Sequence, residues 1–298
     1  MIFDFRLKVF FTVAEKLSFT AAAKELFITQ PAVTKHIREL EQQLEVSLFK
    51  RKGNSIALTP SGQILKMYAD KIIGTYNDLE FDLSRAKNKI KGNLRLGAST
   101  TVAQYVLPKI LALLNRQHEE LHVDLVTSNT EQIEKLLIDE KIDLGIVEGK
   151  PGKQQIAYNP FLKDEIVLVT RYSSELALKK EIKLENLKSI PLVIRESGSG
   201  TLDVIDAALK KAGLSRKNLN IKIQLGSTES IKQYLYYPEC AAFLSINSIT
   251  KELDQKELSL IKVKGMRIER TFQFITLRGS SSKTVDFFKK FCLSHYNF

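Results

Sequence analysis

The sequence is short of the residues that staple a fold or carry it through a membrane. Two cysteines, Cys240 and Cys292, in 298 residues exclude a disulfide framework and a four-cysteine zinc site, and they fit a reducing compartment. No window approaches about 18 uninterrupted apolar residues, so no membrane-spanning helix is expected. Asp4, Arg6 and Lys8 interrupt the apolar N-terminus, and no small-residue cleavage site follows a continuous apolar core. A secretion signal is therefore not expected, and the location expected is cytoplasmic. Acidic residues are outnumbered: 34 Asp+Glu face 45 Lys+Arg, a net charge of +11. That excess favours an anionic partner, nucleic acid first. What is present is ordinary globular chemistry, 44% hydrophobic and 27% charged, long enough for about two domains.

Within residues 1–58, Phe3, Leu7, Phe10, Ala14 and Leu17 recur at steps of three and four and predict a first helix. Ser18-Phe19-Thr20 breaks that pattern, and Thr20 is expected to cap a second helix, Ala21-Ala22-Ala23-Lys24-Glu25-Leu26, made of strong helix formers. Thr29 caps a third, which tolerates Pro31 in its first turn and runs through Val33, Ile37, Leu40 and Leu44. Two helices across so short a joint form a helix-turn-helix.

With Val33 at 0°, Ile37 and Leu40 fall within about 40° of it, while Thr34, Arg38, Pro31 and Lys35 fall between about 100° and 200°. Together with Gln30, these hydroxyl, amide and cationic groups near a helix start suit a major groove, because they reach base edges and phosphates. A solvated amphipathic helix would show the same division. The helix before it and the cluster Lys50-Arg51-Lys52-Gly53-Asn54 after it, a wing-like turn of phosphate-seeking charge, favour double-stranded DNA. Arg51, Lys52 and Asn54 are the flanking candidates.

Residues 59–91 begin with the capped start Thr59-Pro60-Ser61-Gly62. Leu65, Ile72, Leu79 and Ala86 then repeat every seven residues, with Tyr68, Tyr76, Leu83 and Ile90 between them. A helix of about 30 residues and 45 Å with such a seam wants a partner helix. Leu65, Ile72, Leu79 and Leu83 are the residues expected to pair two chains.

Residues 1–91 resemble the DNA-binding end of the LysR-type transcriptional regulators. The resemblance rests on Phe10 to Ala14, Ser18-Phe19-Thr20-Ala21-Ala22-Ala23, Leu26, Thr29-Gln30-Pro31-Ala32-Val33-Thr34, Ile37, Leu40-Glu41, Leu44, Leu48-Phe49, Arg51 and Thr59-Pro60-Ser61-Gly62. Lys35, His36 and Lys50 stand where the family usually has arginine, glutamine and an acidic residue. Lysine does not reproduce arginine's bidentate fork, so these positions bear on the target sequence. The resemblance implies a winged helix-turn-helix over 1–58, a dimerisation helix over 59–91, and an effector-binding domain over 92–298. It also implies dimers that associate into tetramers.

From Asn93 onward, short β runs alternate with helical ones: 94–96, 121–125, 143–147, 166–169, 192–194, 221–223 and 272–275, with helices near 102–117, 130–139, 202–212 and 284–294. That alternation predicts α/β layers with mostly parallel sheets. By the resemblance these form two lobes like those of periplasmic binding proteins. Lobe I covers about 92–162 and 268–298, lobe II about 163–267, with crossings near Phe161 to Glu165 and Gly265 to Thr271.

Three hydroxyl-rich turns sit where a strand meets a helix: Ser99-Thr100-Thr101, Ser128-Asn129-Thr130, and Ser197-Gly198-Ser199-Gly200-Thr201. Such turns offer N–H groups and hydroxyls to an anion at a helix N-terminus. Each taken alone reads better as helix capping. As a group they border the cleft that the family uses for its effector, which implies a small polar or anionic metabolite on Ser99, Thr100, Thr101, Ser128, Asn129 and residues 197–201. Arg195 either supplies a counter-charge or pairs with Glu196 or another surface acid.

The remaining signals are weaker. His118-Glu119-Glu120-Leu121-His122 fits a zinc-protease pattern, but the alternation of Leu121, Val123 and Leu125 predicts a strand there and removes the helical face the pattern needs. The residue patterns point to no metal, cofactor or catalytic set. Cys240 and Cys292 lie in apolar company and read as buried bystanders. The functional expectation is a ligand-responsive, sequence-specific DNA-binding regulator. The rivals are a cytoplasmic solute-binding receptor without DNA readout and an enzyme built on the α/β cleft.

Overall fold

The computed structural model describes residues 4–52, 55–86, 90–237, 239–280 and 282–296, the side chains of residues 51, 52 and 55 excepted. The chain forms two compact units, 1–88 and 89–298.

In the first unit, α1 (Phe5–Lys16), α2 (Phe19–Glu25) and α3 (Gln30–Leu44) precede a hairpin of β1 (Phe49–Lys52) and β2 (Ser55–Leu58), and α4 (Pro60–Ala86) follows. Thr29 caps α3 as its sequence position suggests, accepting from the Ala32 N–H at 3.3 Å. The cap of α2 lies two residues before the expected Thr20. Ser18, not Thr20, holds the extended backbone and accepts from the Ala21 N–H at 3.2 Å. Starting the helix at Phe19 brings that ring edge-on to Phe49, 5.7 Å between centroids, so packing as well as capping selects the earlier start.

Val9, Phe10, Val13, Ala22, Val33, Ile37, Leu40, Leu48 and Ala69 form the buried core of this unit. α4 begins hard against the hairpin: a Cβ at Gly62 would sit 2.1 Å from the Leu48 carbonyl oxygen, so only glycine fits there. Thr59 fixes the junction by accepting from the Gly62 N–H and donating to the Ser47 carbonyl.

The second unit is one mixed sheet flanked by helices. Its strands are β3 (Gly92–Ser99), β4 (Leu121–Ser128), β5 (Leu144–Val147), β6 (Ile156–Arg171), β7 (Glu181–Ile182), β8 (Leu192–Arg195), β9 (Ile221–Leu225), β10 (Ala241–Ser245), β11 (Leu258–Val263) and β12 (Ile268–Leu277). Its helices are α5 (Leu107–Gln117), α6 (Thr130–Ile138), α7 (Gly200–Lys211), α8 (Thr228–Leu235), α9 (Thr250–Asp254) and α10 (Lys283–His295). A π-helical turn over 102–106 leads into α5.

The order is β4-β3-β5-β12-β6-β10-β8-β9, with β11 on β6 and β7 on β11. The flanks are parallel, as the alternation predicts: β3 pairs with β4 and β5, and β8 with β9 and β10. The centre is antiparallel, because β6 and β12 run the length of both halves and pair with each other from Ile156/Leu277 to Ile166/Ile268. One register shift, between Phe272 and Gln273, falls near the middle of that ladder. Separate cores lie on the two sides, one around Ile133, Leu137, Ile142 and Ile275, the other around Leu187, Leu192, Leu202 and Phe243.

The 118–122 run does not form a helical metal face. α5 ends at Gln117, His118 is non-helical, and β4 starts at Leu121. The His118 ring packs against Phe287 and Phe291 instead.

Candidate reading helix and effector cleft

α3 buries Val33, Ile37 and Leu40 and leaves the opposite side in water. Gln30, Pro31, Lys35 and Arg38 are exposed and Thr34 is half-buried. Gln30 donates from Nε2 to Thr34 Oγ1 at 2.9 Å, which fixes an amide and a hydroxyl beside each other near the helix start. Lys35 extends into solvent, 3.8 Å from Glu39. His36 turns inward, edge-on to Phe5 at 5.4 Å. Arg51 and Lys52 occupy β1, paired with Ile56 and Ser55, and Asn54 lies outside the described residues. Along α4, Leu65 is half-buried against the core of the first unit. Ile72, Leu79 and Leu83 stay 45%, 45% and 51% exposed, with Ile64, Met67 and Tyr68 exposed as well.

The second polar centre forms where the loops after β3, β5 and β8 meet. Its focus is Glu148, buried at the end of β5. Ser99 Oγ donates to one carboxylate oxygen, and Thr201 Oγ1 donates to the other at 3.0 Å. Thr130 Oγ1 donates to the Glu148 carbonyl at 3.0 Å. Arg270, on β12, lies under this group, bonded to Asp164 Oδ2 at 2.6 Å and Thr201 Oγ1 at 2.7 Å, with Glu148 at 3.5 Å. Asp164 also accepts from Ser245 and Asn247. A buried guanidinium between two carboxylates is tolerable because each charge finds hydrogen-bonded partners.

Glycine makes the close approach possible. A Cβ at Gly200 would lie 2.2 Å from the Glu148 carbonyl oxygen, and one at Gly198 would lie 2.6 Å from Glu131 Oε2. The Glu131 N–H also bonds the Gly198 carbonyl at 3.2 Å.

A further polar cluster closes the side. Tyr105, from the π-helical turn, donates to Glu229, and Lys232 lies 5.0 Å from the Tyr105 ring centroid. Lys232 Nζ bonds Glu252 at 2.6 Å and Glu229 at 2.8 Å. Burial, then the Glu229 hydrogen bond, pushes the Tyr105 hydroxyl well above its usual range, so it stays a donor. Burial also opposes the charge on Glu229, but Lys232 and Tyr105 outweigh it and hold that carboxyl low.

Arg195 makes the local pair with Glu196 that is one of its expected roles. It is 2% exposed and pairs with Glu196 through Nε at 2.8 Å and Nη2 at 3.0 Å, leaving Nη1 buried and unpartnered. Among the described residues seven buried side-chain polar atoms lack a hydrogen-bond partner, and four belong to this region: Thr100 Oγ1, Ser199 Oγ, Arg195 Nη1 and Arg270 Nη2. Such concentration is unusual, since buried polar groups are ordinarily paired.

The capping alternative divides the candidates. It accounts for Asn129, which accepts from the Gln132 N–H at 3.1 Å. It does not account for Ser199 or Thr101, which occupy cap positions without a side-chain cap bond. Ser128 is half-buried at the end of β4, and Ser197 points outward as an exposed residue. Sequence reasoning missed Glu148, Asp164, Tyr105, Lys232 and Arg270, which join these polar clusters from distant segments and carry no local motif.

Both cysteines are buried, and burial raises their thiols, Cys240 to about 11. That opposes thiolate chemistry. Among the described residues no group of three His, Cys, Asp or Glu is disposed to hold a metal, and no helix is long and apolar enough to cross a membrane.

Comparison with known proteins gives matches over nearly the whole chain. Residues 5–63 match the family described as bacterial regulatory helix-turn-helix proteins, lysR family, and residues 87–297 match the LysR substrate binding domain. The HTH-type transcriptional regulator CysL of Bacillus subtilis is 30% identical over 90% of this chain and 89% of its own length. A probable RuBisCO transcriptional regulator of Thalassiosira pseudonana is 32% identical over 95% and 94%. Among solved structures, the regulatory domain of Synechocystis CcmR in complex with 2-PG has a TM-score of 0.63 at 27% identity, covering 70% of this chain and 99% of that one. The curated relatives are transcriptional regulators rather than enzymes.

Proposed function

This chain belongs to the LysR family of DNA-binding transcriptional regulators, and from that premise we propose how its residues divide the work. Gln30, Pro31, Thr34, Lys35 and Arg38 enter the major groove, while Arg51, Lys52 and Asn54 seat the flanking phosphates. Ile72, Leu79 and Leu83, extended by Leu65 at the base of α4, pair two chains, because one helix cannot bury that seam alone and readers of this type need two half-sites. Two such pairs assemble into a tetramer. The chain works in the cytoplasm, where its DNA is, and performs no catalysis.

The effector is a small polar anion held between the lobes. The observation that carries this reading is the group of unpartnered buried donors on Thr100, Ser199, Arg195 and Arg270. Each such atom left unsatisfied costs about 1–3 kcal/mol, which an oxyanion accepting from several of them would recover. Thr101, Ser99 and residues 197–201 shape the walls, and Asn129 serves mainly to cap α6. Ser128 lines the outer edge. The CcmR domain, with 2-PG bound, gives a first probe. An effector that prefers one lobe angle over another shifts the spacing of the DNA-reading heads, and only that differential affinity does so.

Calorimetric titration of 2-PG and a panel of small carboxylates and phosphates into wild type and a Thr100→Val/Ser199→Ala double variant tests the site. Binding by the wild type that is lost in the variant supports the reading. An anion that binds both equally lies somewhere else.

A further inference from the structure

The joint between α2 and α3 contains a residue that the fold of this unit does not explain. α2 ends in a Schellman turn: the Ile28 N–H bonds the Ala23 carbonyl at 3.1 Å and the Phe27 N–H bonds the Lys24 carbonyl at 3.3 Å. That turn places Phe27 at φ +54°, the left-handed region in which glycine is the usual occupant. An aromatic side chain there is strained. Packing does not compensate, because Phe27 is 95% exposed, the largest value among the exposed large apolar side chains described. The other described non-glycine residues with positive φ are Leu17, Glu45, Glu140, Lys180 and Lys256, four polar and one about half-exposed. Among the described residues Phe27 alone combines the strained backbone with a ring almost wholly in water.

A strained residue that returns nothing to its own fold points to an external contact. The position indicates which. Phe27 lies two residues before the α3 cap Thr29 and three before Gln30, on the segment that delivers α3 to its target. The charged residues near it in sequence lean cationic. Lys24 is exposed, the Lys35 side chain is 76% exposed, and Glu25 is neutralised by Lys16 at 2.5 Å. A protein surface meeting this joint would have to match positive charge beside a lone ring. A DNA duplex offers phosphates beside apolar sugar faces and thymine methyl groups, which phenylalanine contacts in other readers.

We propose that Phe27 is a DNA-contacting residue: its ring lies against the apolar surface of the duplex at the edge of the groove that α3 enters, and it sets preference there. The proposal rests on α3 being the reading helix.

The test uses effects of opposite sign. Phe27→Gly removes both the strain and the ring, so the full-length variant melts at or above the wild-type temperature, while its affinity for a duplex enriched from random DNA by the wild-type chain falls about tenfold. Phe27→Leu, apolar but equally strained, falls between the two. Replacing thymine by deoxyuridine distinguishes the sources. If the ring meets a methyl group, the change weakens wild type and leaves Phe27→Gly unaffected; if it meets deoxyribose, neither protein responds, and the tenfold difference remains.

The proposal is overturned if Phe27→Gly binds the duplex as tightly as wild type. It is also overturned if that variant melts lower, which would mean the ring packs within the protein. A loss of affinity accompanied by a smaller particle in light scattering would assign the ring to a contact between chains and overturn it too. Failure of the wild-type chain to enrich any duplex would refute the reading-helix assignment itself, a result distinct from the others.

Discussion

Gly200→Ala tests the closeness of the two lobes with a single methyl group. The new Cβ would stand 2.2 Å from the Glu148 carbonyl oxygen, 2.6 Å from Thr130 Oγ1 and 2.7 Å from the Glu148 carbonyl carbon. Carbon and oxygen normally approach to about 3.4 Å, so α7 and the end of β5 must separate by roughly 1.2 Å. Two of the three obstructing atoms are backbone, and no rotamer change clears them. The two halves of the sheet are joined through the ladder of β6 and β12. An opening of that size would carry the 3.0 Å bond between Thr201 and Glu148 beyond hydrogen-bonding range.

Overpacking of this kind costs about 1–3 kcal/mol, and each kcal/mol lowers the melting temperature of a domain of this size by about 2–4 °C. Part returns through the stiffer unfolded chain, about 0.4–1 kcal/mol for glycine to alanine. The expected result is a small fall in melting temperature with a loss of anion affinity of tenfold or more, since the donors come from both lobes. Calorimetry with the best-binding small anion, together with the radius of gyration in solution, reads both. Unchanged melting with full anion affinity would refute the close contact and with it the shared site.

Other outcomes follow from the same geometry. Arg38→Ala should weaken binding to the enriched duplex by about 1–3 kcal/mol if Arg38 reads a base, whereas Lys52→Ala should weaken all sequences alike and flatten the salt dependence by about one unit; equal affinity in a folded Arg38→Ala protein would remove that residue from the groove. Leu79→Asp places a charge in the exposed seam of α4 and should separate the DNA-binding pair, as seen by light scattering and duplex titration; unchanged assembly and affinity would argue against the pairing. Asp203→Asn tests a titration. Burial raises this carboxyl, Asp206, Glu131 and Glu134 add to the shift, and Arg216 opposes it. A raised carboxyl stabilises the fold at low pH and loses that contribution as pH climbs past the ordinary value of 3.8. The variant should therefore gain melting temperature at neutral pH and little at pH 3, and an equal gain at both would contradict the cause assigned.

The first unit was legible because its signals are local. Thr29, Pro31 and the Val33, Ile37, Leu40 spacing specify α3 within one helix, and the hydroxyl of Thr59 specifies the start of α4. The α2 cap was misread because Thr20 and Ser18 are equivalent in chemistry. What separates them is the reach of Phe19 to Phe49, a contact across 30 residues of chain. In the second unit, alternation revealed the parallel flanks, but not the first half of β6, nor β10 and β11, whose identity depends on the antiparallel ladder they join. The candidate site was half visible. Its hydroxyls sit in recognisable strand-to-helix turns, whereas Glu148, Asp164 and Arg270 come together only once β5, β6 and β12 are neighbours. Periodicity cannot report that adjacency.

The central claim is that an anion in the cleft and DNA on α3 are coupled. The direct measurement is duplex affinity, by fluorescence anisotropy, across a titration of 2-PG or whichever small anion binds best, in wild type and in Thr100→Val/Ser199→Ala. The account predicts a shift in wild-type duplex affinity that saturates at the calorimetric dissociation constant of the anion, matched by an equal shift in anion affinity when DNA is bound, and neither in the double variant. A duplex affinity indifferent to a bound anion, or one that shifts equally in both proteins, would contradict it.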